Sequence, residues 1–127
     1  MLATSPLLAW GRDNHENNHA QWNDAMAAFP AQDQAHLPAV GAVLFIGSSS
    51  IRNWKTLARD FPEVKTINRG FGGSEIDDAT FSADRIVAPY HPRAIVMYAG
   101  DNDLADSASP ARVRDDFVAF CTYGALA

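Results

Sequence analysis

The 127-residue chain contains one cysteine, Cys121, so it can form no internal disulfide and its redox compartment is not encoded. Bases are outnumbered: ten Lys and Arg stand against fifteen Asp and Glu, for a net charge of -5. That balance argues against nucleic acid or an anionic membrane as the main partner. No apolar run approaches the roughly 20 residues a membrane-spanning helix needs. The N-terminal patch Leu7-Leu8-Ala9-Trp10 is short and lacks a basic segment before it, so a signal peptide is not supported and the cytoplasm is the default location. Internal repeats and low-complexity segments are missing. No lysine follows the serines Ser48 to Ser50 as in a Walker loop, and Gly-x-Gly-x-x-Gly does not occur. After Gly100 there is no histidine at all.

An apolar fraction of 47% is ordinary for a globular protein, and the length allows one domain with a small core and a thin stability margin. Residues 1–13 read as an irregular tail. Asp13 or Asn14 is a candidate helix cap, after which His15, His19, Trp22, Met26 and Phe29 share a helix face until Pro30 stops it. The organising stretch is Val43-Leu-Phe-Ile-Gly-Ser-Ser-Ser-Ile-Arg-Asn-Trp54. Its apolar half, about Ala42 to Ile46, reads as a strand covered on both faces. A helix then places Ile51, Trp54, Ala58 and Phe61 on one stripe and ends at Pro62. Val64 to Asn68 reads as a second strand, its lysine suited to a sheet edge. Arg69-Gly-Phe-Gly-Gly73 follows as a glycine-rich loop. Ser74 and Asp77 suggest a capping box for a helix running to Val87. Ala94 to Ala99 is a third, continuously apolar strand, and Gly100-Asp-Asn-Asp103 a loop beyond it. Ser109-Pro110 opens a last helix lined by Val113, Phe117, Phe120 and Cys121.

Strand and helix alternate three times, which predicts an α/β fold with a parallel sheet, flavodoxin-like, in three α/β/α layers. Two covered strands and one edge strand suggest the order 2-1-3, and right-handed crossovers then put all three strand C-termini on one rim. Ligands of such sheets bind outside that rim. The three loops that meet there are Gly47 to Ser50, Arg69 to Gly73 and Gly100 to Asp103. Together they offer what acyl transfer needs. Ser49 supplies a hydroxyl, Gly73 an N–H that a ligand can approach closely, and Asn102 a neutral side-chain amide. Each has a plainer account. Serines after a strand cap helices, and glycine, asparagine and aspartate make turns. Taken singly the plainer account is the better one; the convergence of all three favours chemistry.

These blocks resemble the SGNH hydrolases, the GDSL-type lipases and esterases. Phe45-Ile-Gly-Ser-Ser49-Ser-Ile-Arg-Asn-Trp54 is similar to that family's first block, with Ser48 where aspartate is usual. Asn68-Arg-Gly-Phe-Gly-Gly-Ser74 is similar to the second and Gly100-Asp-Asn-Asp103 to the third. The resemblance covers about residues 20–120. It implies a serine ester hydrolase of carboxylesterase, lipase or acetylesterase type, acting on a small-molecule ester without metal or organic cofactor. By the same resemblance Ser49 is the nucleophile and an oxyanion N–H, Gly73 a second oxyanion N–H, and Asn102 the oxyanion side chain. The family's fourth block, Asp-x-x-His, which supplies the base and its carboxylate, is absent. The C-terminal strands of such a fold are absent too. The chain therefore reads as one partial domain over 1–127, impaired as it stands. The third strand would keep an open edge, able to self-associate.

Two other readings compete. His15-Glu16-Asn17-Asn18-His19 matches the zinc-protease pattern His-Glu-x-x-His. It lies in a polar stretch, no glutamate occurs between His19 and Glu63, and no Gly-x-x-His follows, so coincidence on a polar helix end is preferred. The other is a non-catalytic flavodoxin-like fragment binding phosphate at Ser48 to Ser50, which no motif supports. His36 and His91 fall in loops away from the rim and are poor candidate bases.

Overall fold

A computed structural model describes residues 19–126. The expected tail over 1–13, the helix start at Asp13 or Asn14, and His15 and Glu16 lie outside the described residues. The chain enters through a 3-10 turn, His19–Trp22, into α1 (Asn23–Ala35). β1 (Val43–Gly47) follows, then two single-turn helices, α2 (Ser49–Arg52) and α3 (Leu57–Asp60). After β2 (Thr66–Gly70) come α4 (Ile76–Phe81) and α5 (Ala83–Ile86). A 3-10 turn, Ala88–Tyr90, leads to β3 (Ala94–Tyr98), then α6 (Asp101–Ala105), α7 (Pro110–Ala119) and a π-helical turn, Phe120–Gly124.

The sheet is parallel, in the order β2-β1-β3, and helices cover both of its faces. The expected α/β architecture and strand order are therefore observed. Val43 lies opposite Thr66 and Ala94, and Gly47 opposite Gly70 and Tyr98. The three strands end level, so the segments after them emerge on one rim. Alternation along β1 sends Leu44 and Ile46 into the larger core, with Met26, Phe29, Ile86 and Phe120. Phe45 points the other way, onto Ile51 and Leu57, with Trp54 and Phe61 at 5.9 and 5.5 Å between ring centroids. Burying each such side chain contributes about 1.5–3 kcal/mol, which is why the continuous apolar run of β1 must sit centrally.

Several element boundaries differ from expectation. Pro30 does not stop α1, which continues to Ala35. Its missing N–H deprives the Met26 carbonyl of a partner, but packing on both sides of the proline holds the helix. Met26 and Phe29 are buried before it, and Asp33 after it pairs with the buried guanidinium of Arg69. That guanidinium also lies over the rings of Phe29 and Tyr90, at 4.8 and 4.6 Å, and the Tyr90 hydroxyl donates to Asp33. A buried charge is tolerable only when paired and enclosed in this way.

The single helix expected after β1 is two. Trp54 Nε1 and Thr56 Oγ1 both donate to the Asp60 carboxylate, at 2.7 and 2.6 Å, and these bonds hold that carboxyl below its usual range. They also close a turn between α2 and α3, so that Leu57 is buried and Ala58 is exposed. β2 begins two residues later than expected and takes in Arg69 and Gly70. The capping box is Glu75 with Asp78, not Ser74 with Asp77: the Glu75 N–H donates to the Asp78 carboxylate at 2.8 Å. The helix expected to run to Val87 breaks at Ser82. Residues 101–105, expected as loop, form α6. At the C-terminal end Phe117 and Cys121 face outward, while Asp116, Ala119 and Phe120 face inward. β3 keeps Ile95 and Met97 against the core, but Val96 and Tyr98 are 42% and 55% exposed, and none of the described residues pairs with its outer edge.

Candidate functional site

The segment after β1 turns at Gly47, where a Cβ would stand 2.1 Å from the Tyr98 carbonyl oxygen and 2.7 Å from Ile51 Cγ1. Only glycine fits between β3 and α2 there. The next two serines have opposite environments. Ser48 is fully buried and its hydroxyl has no hydrogen-bond partner among the described residues. Ser49 opens α2, is exposed, and its hydroxyl makes no hydrogen bond among the described residues. Of the two, Ser49 has the accessible hydroxyl.

The segment after β2 is stitched to the first. Phe71 N–H donates to the Gly47 carbonyl at 3.0 Å. Asn68 Nδ2 donates to the Ile51 carbonyl at 2.6 Å, while its Oδ1 accepts from Gly70 N–H at 2.9 Å. A Cβ on Gly70 would come within 2.3 Å of the Arg52 backbone nitrogen, so the two backbones touch. Gly73 has φ +83°, a left-handed conformation that suits glycine. It is exposed, and its N–H has no partner among the described residues.

The segment after β3 reaches the second loop. Asn102 Nδ2 donates to the Ser74 carbonyl at 3.0 Å, which fixes the amide and leaves its second N–H to be used. Asp103 accepts from the Ile76 N–H at 3.2 Å, while its other carboxylate oxygen is buried with no partner among the described residues. Burial pushes the Asp103 carboxyl upward from its usual range, partly offset by the Ile76 bond. The three expected loops thus lie on one rim and are bonded to one another in sequence: Gly47 to Phe71, Ile51 to Asn68, Ser74 to Asn102.

The two flanks of the rim differ in charge. On one side a cleft of about 590 Å³ is lined by Trp22, Arg52, Trp54, Lys55, Asn68 and Phe71, among others. On the other, Glu75, Asp103, Asp106 and Asp116 border a second hollow with Arg112. Desolvation, a bond to Asp106 and the nearby Asp103, Asp77 and Asp106 charges push the Glu75 carboxyl to about 7. Burial also raises Asp116, against the pull of Arg112, whose Nε donates to both carboxylate oxygens at 3.0 and 2.8 Å.

The three described histidines are elsewhere. His36 caps the C-terminal end of α1, and His91 precedes β3, at the end of the sheet opposite the rim. His19 Nδ1 meets the Asp78 carboxylate at 2.8 Å, and its ring stacks on Phe81 at 4.0 Å. These contacts account for His19 as a clasp between the entering chain and α4. Among the described residues no group of three or more His, Cys, Asp or Glu side chains has the geometry to hold a metal ion. Sequence reasoning missed Asn68, Arg52 and Asp103. An asparagine and an arginine in an otherwise apolar strand were the available hint for Asn68 and for the Asp33–Arg69 pair; nothing local marked Asp103 as buried.

No protein-family model and no curated protein sequence matches the chain. Solved structures do. A proposed acylhydrolase from Bacteroides fragilis is 25% identical, with a TM-score of 0.63 over 77% of this chain and 51% of that one. A proposed platelet activating factor from Streptococcus pneumoniae is 15% identical, with a TM-score of 0.65 over 94% of this chain and 54% of that one. The second likeness shows the fold alone. The chain spans about half the length of each, and the likeness is to a hydrolase-like α/β fold.

Proposed function

We propose that the rim is the nucleophile and oxyanion half of a serine ester hydrolase of the SGNH type, acting on carboxylic esters of a small or medium acyl group, acetylated carbohydrate included. The observation that carries the reading is the bonding of three separate loops into one rim beside an exposed, unpartnered Ser49 hydroxyl. In this reading Ser49 Oγ attacks the ester carbonyl carbon and its proton passes to a histidine supplied from outside these 127 residues. The carbonyl π-pair moves to oxygen, where the Ser49 and Gly73 N–H groups and the Asn102 amide hold it. Collapse expels the alcohol, which takes the proton, and water then releases the acid from Ser49. With no histidine at the rim among the described residues, Ser49 retains only the weak catalysis of positioning and oxyanion binding. The proposed acylhydrolase likeness supports the reaction class.

The test is fluorophosphonate labelling with mass mapping of the adduct, beside p-nitrophenyl acetate turnover, on this chain and on one extended at its C-terminus. Labelling at Ser49 that disappears in Ser49→Ala, with turnover only in the extended chain, is expected. No adduct on either chain refutes the hydrolase reading. Full turnover by 127 residues refutes the need for an outside base.

A further inference from the structure

The cleft lined by Arg52, Asn68 and Gly72 has a charge pattern opposite to the rest of the chain, and Ser49, Gly73 and Asn102 are not among its lining residues. Acids outnumber bases fifteen to ten overall. Yet the cleft lining contains two cations, Arg52 and Lys55, and no acid. Neither cation has a carboxylate partner among the described residues; the only hydrogen bond of the Lys55 ammonium is to the Arg52 carbonyl, at 3.3 Å. Arg52 lies one helical turn from Ser49 in α2, so it shares that residue's face, about 4.5 Å further along the axis. Its exposed guanidinium lies over Gly72: Nη1, Cζ and Nε are all within 3.4 Å of where a Gly72 Cβ would stand. Gly72 therefore makes room for the arginine next to Gly73. The walls are fixed. Trp54 is tied to Asp60 and packs edge-on to Phe45, while Trp22 packs edge-on to Phe71 with ring centroids 5.5 Å apart.

We infer that this cleft selects an anionic ester: a substrate whose acyl or alcohol part carries a carboxylate or phosphate, held by Arg52 with Lys55 behind it. The volume suits a small ligand, since such sites span about 300–1,000 Å³. A guanidinium without a carboxylate partner is the group that recognises a planar or tetrahedral oxyanion through paired N–H donors. A neutral substrate would leave both cations unused, whereas an anion finds no carboxylate to repel it. The inference names the substrate class of the proposed hydrolase and rests on that reading. The anion site itself can be tested without turnover.

Two of the chain's three tryptophans, Trp22 and Trp54, line the cleft, so their indole N–H signals report on it in a nitrogen-15 spectrum. They are assigned with Trp22→Phe and Trp54→Phe and followed during titration with monomethyl succinate, methyl phosphate and the neutral dimethyl succinate. The expected result is saturable movement of the Trp22 and Trp54 signals by either anion, weakened by salt, with no response to the diester. Arg52→Gln should raise the anion's Kd roughly ten- to a hundredfold, the usual range for a charged hydrogen bond, and Arg52→Lys should recover part of it. Equal binding of the diester, or an unchanged Kd in a folded Arg52→Gln, overturns the inference. Fluorophosphonate labelling on the same samples separates the two readings. A Ser49 adduct without anion binding refutes the anion site alone. Anion binding with no adduct on either this chain or the extended one refutes the hydrolase and leaves the site standing.

Discussion

Replacing Glu75 with glutamine should make the protein more stable at pH 8 and leave it nearly unchanged at pH 5. Glu75 stands at the head of α4 among Asp77, Asp103 and Asp106, and its carboxyl is pushed from the usual 4.5 to about 7, first by desolvation. Between those values the unfolded chain has lost the proton and the folded chain keeps it. Folding therefore takes up a proton, and stability falls as pH rises across that window. A gap of about 2.5 in pKa corresponds to about 3 kcal/mol in full. Glu75 is only half-buried, and solvent screening reduces this to about 1–2 kcal/mol. Glutamine has no charge to lose, and its Oε1 can still accept the capping bond from the first turn of α4. Asp103 and Asp116 are raised in the same direction, so part of the slope will persist in the variant. Urea unfolding at pH 5 and pH 8 measures the effect through the midpoint at constant m-value. If the variant differs from the parent by the same amount at both pH values, charge burial at Glu75 is not the cause. If the parent gains stability between pH 5 and pH 8, the sign is wrong.

Three more outcomes follow from packing. Gly47→Ala drives a Cβ to 2.1 Å from the Tyr98 carbonyl, between two strands that cannot separate, and should cost about 3 kcal/mol or more, seen as loss of the thermal transition. Ser48→Ala removes a fully buried hydroxyl that has no partner among the described residues, so the melting temperature should stay level or rise, by up to about 1 kcal/mol of stability; a large loss would reveal a bond to that hydroxyl. Pro30→Ala restores the N–H that α1 lacks in its interior and should add about 1–3 kcal/mol, read from the urea midpoint.

What the sequence revealed depended on range. The strand order was legible because β1 is continuously apolar while the expected second strand carried Lys65, a residue suited to an edge; the lysine lies just before β2, whose Arg69 is buried, and β3, expected as a covered strand, is the more exposed edge. The exit of the three segments that carry Ser49, Gly73 and Asn102 from one rim was legible because parallel strands in register end at the same side of the sheet. Boundaries failed where a distant partner overrode a local rule. Pro30 was tolerated because Asp33 is anchored by Arg69, far along the chain. The helix after β1 broke because Asp60 gathered two donors from the preceding turn. Phe117 and Cys121 were placed inward by a simple 3.6-residue count. The part-buried Arg112–Asp116 pair and the π-helical turn set a different face; the i,i+4 spacing of the pair was visible in the chain, but its burial and the π-turn were not.

The sheet register also governs the order in which the molecule can form. Val43 must find Thr66 and then Ala94, so every strand pairing spans a long loop and none is a hairpin. Contacts of this kind cost loop-closure entropy before any stabilisation is gained, which slows folding. β1 leaves the ribosome first and is the most apolar strand, yet it has no partner until β2 has been made, and only one until β3 follows. Through that interval its two faces and two edges are exposed together, and this is the period in which a chaperone, or a second nascent copy, competes with the native sheet.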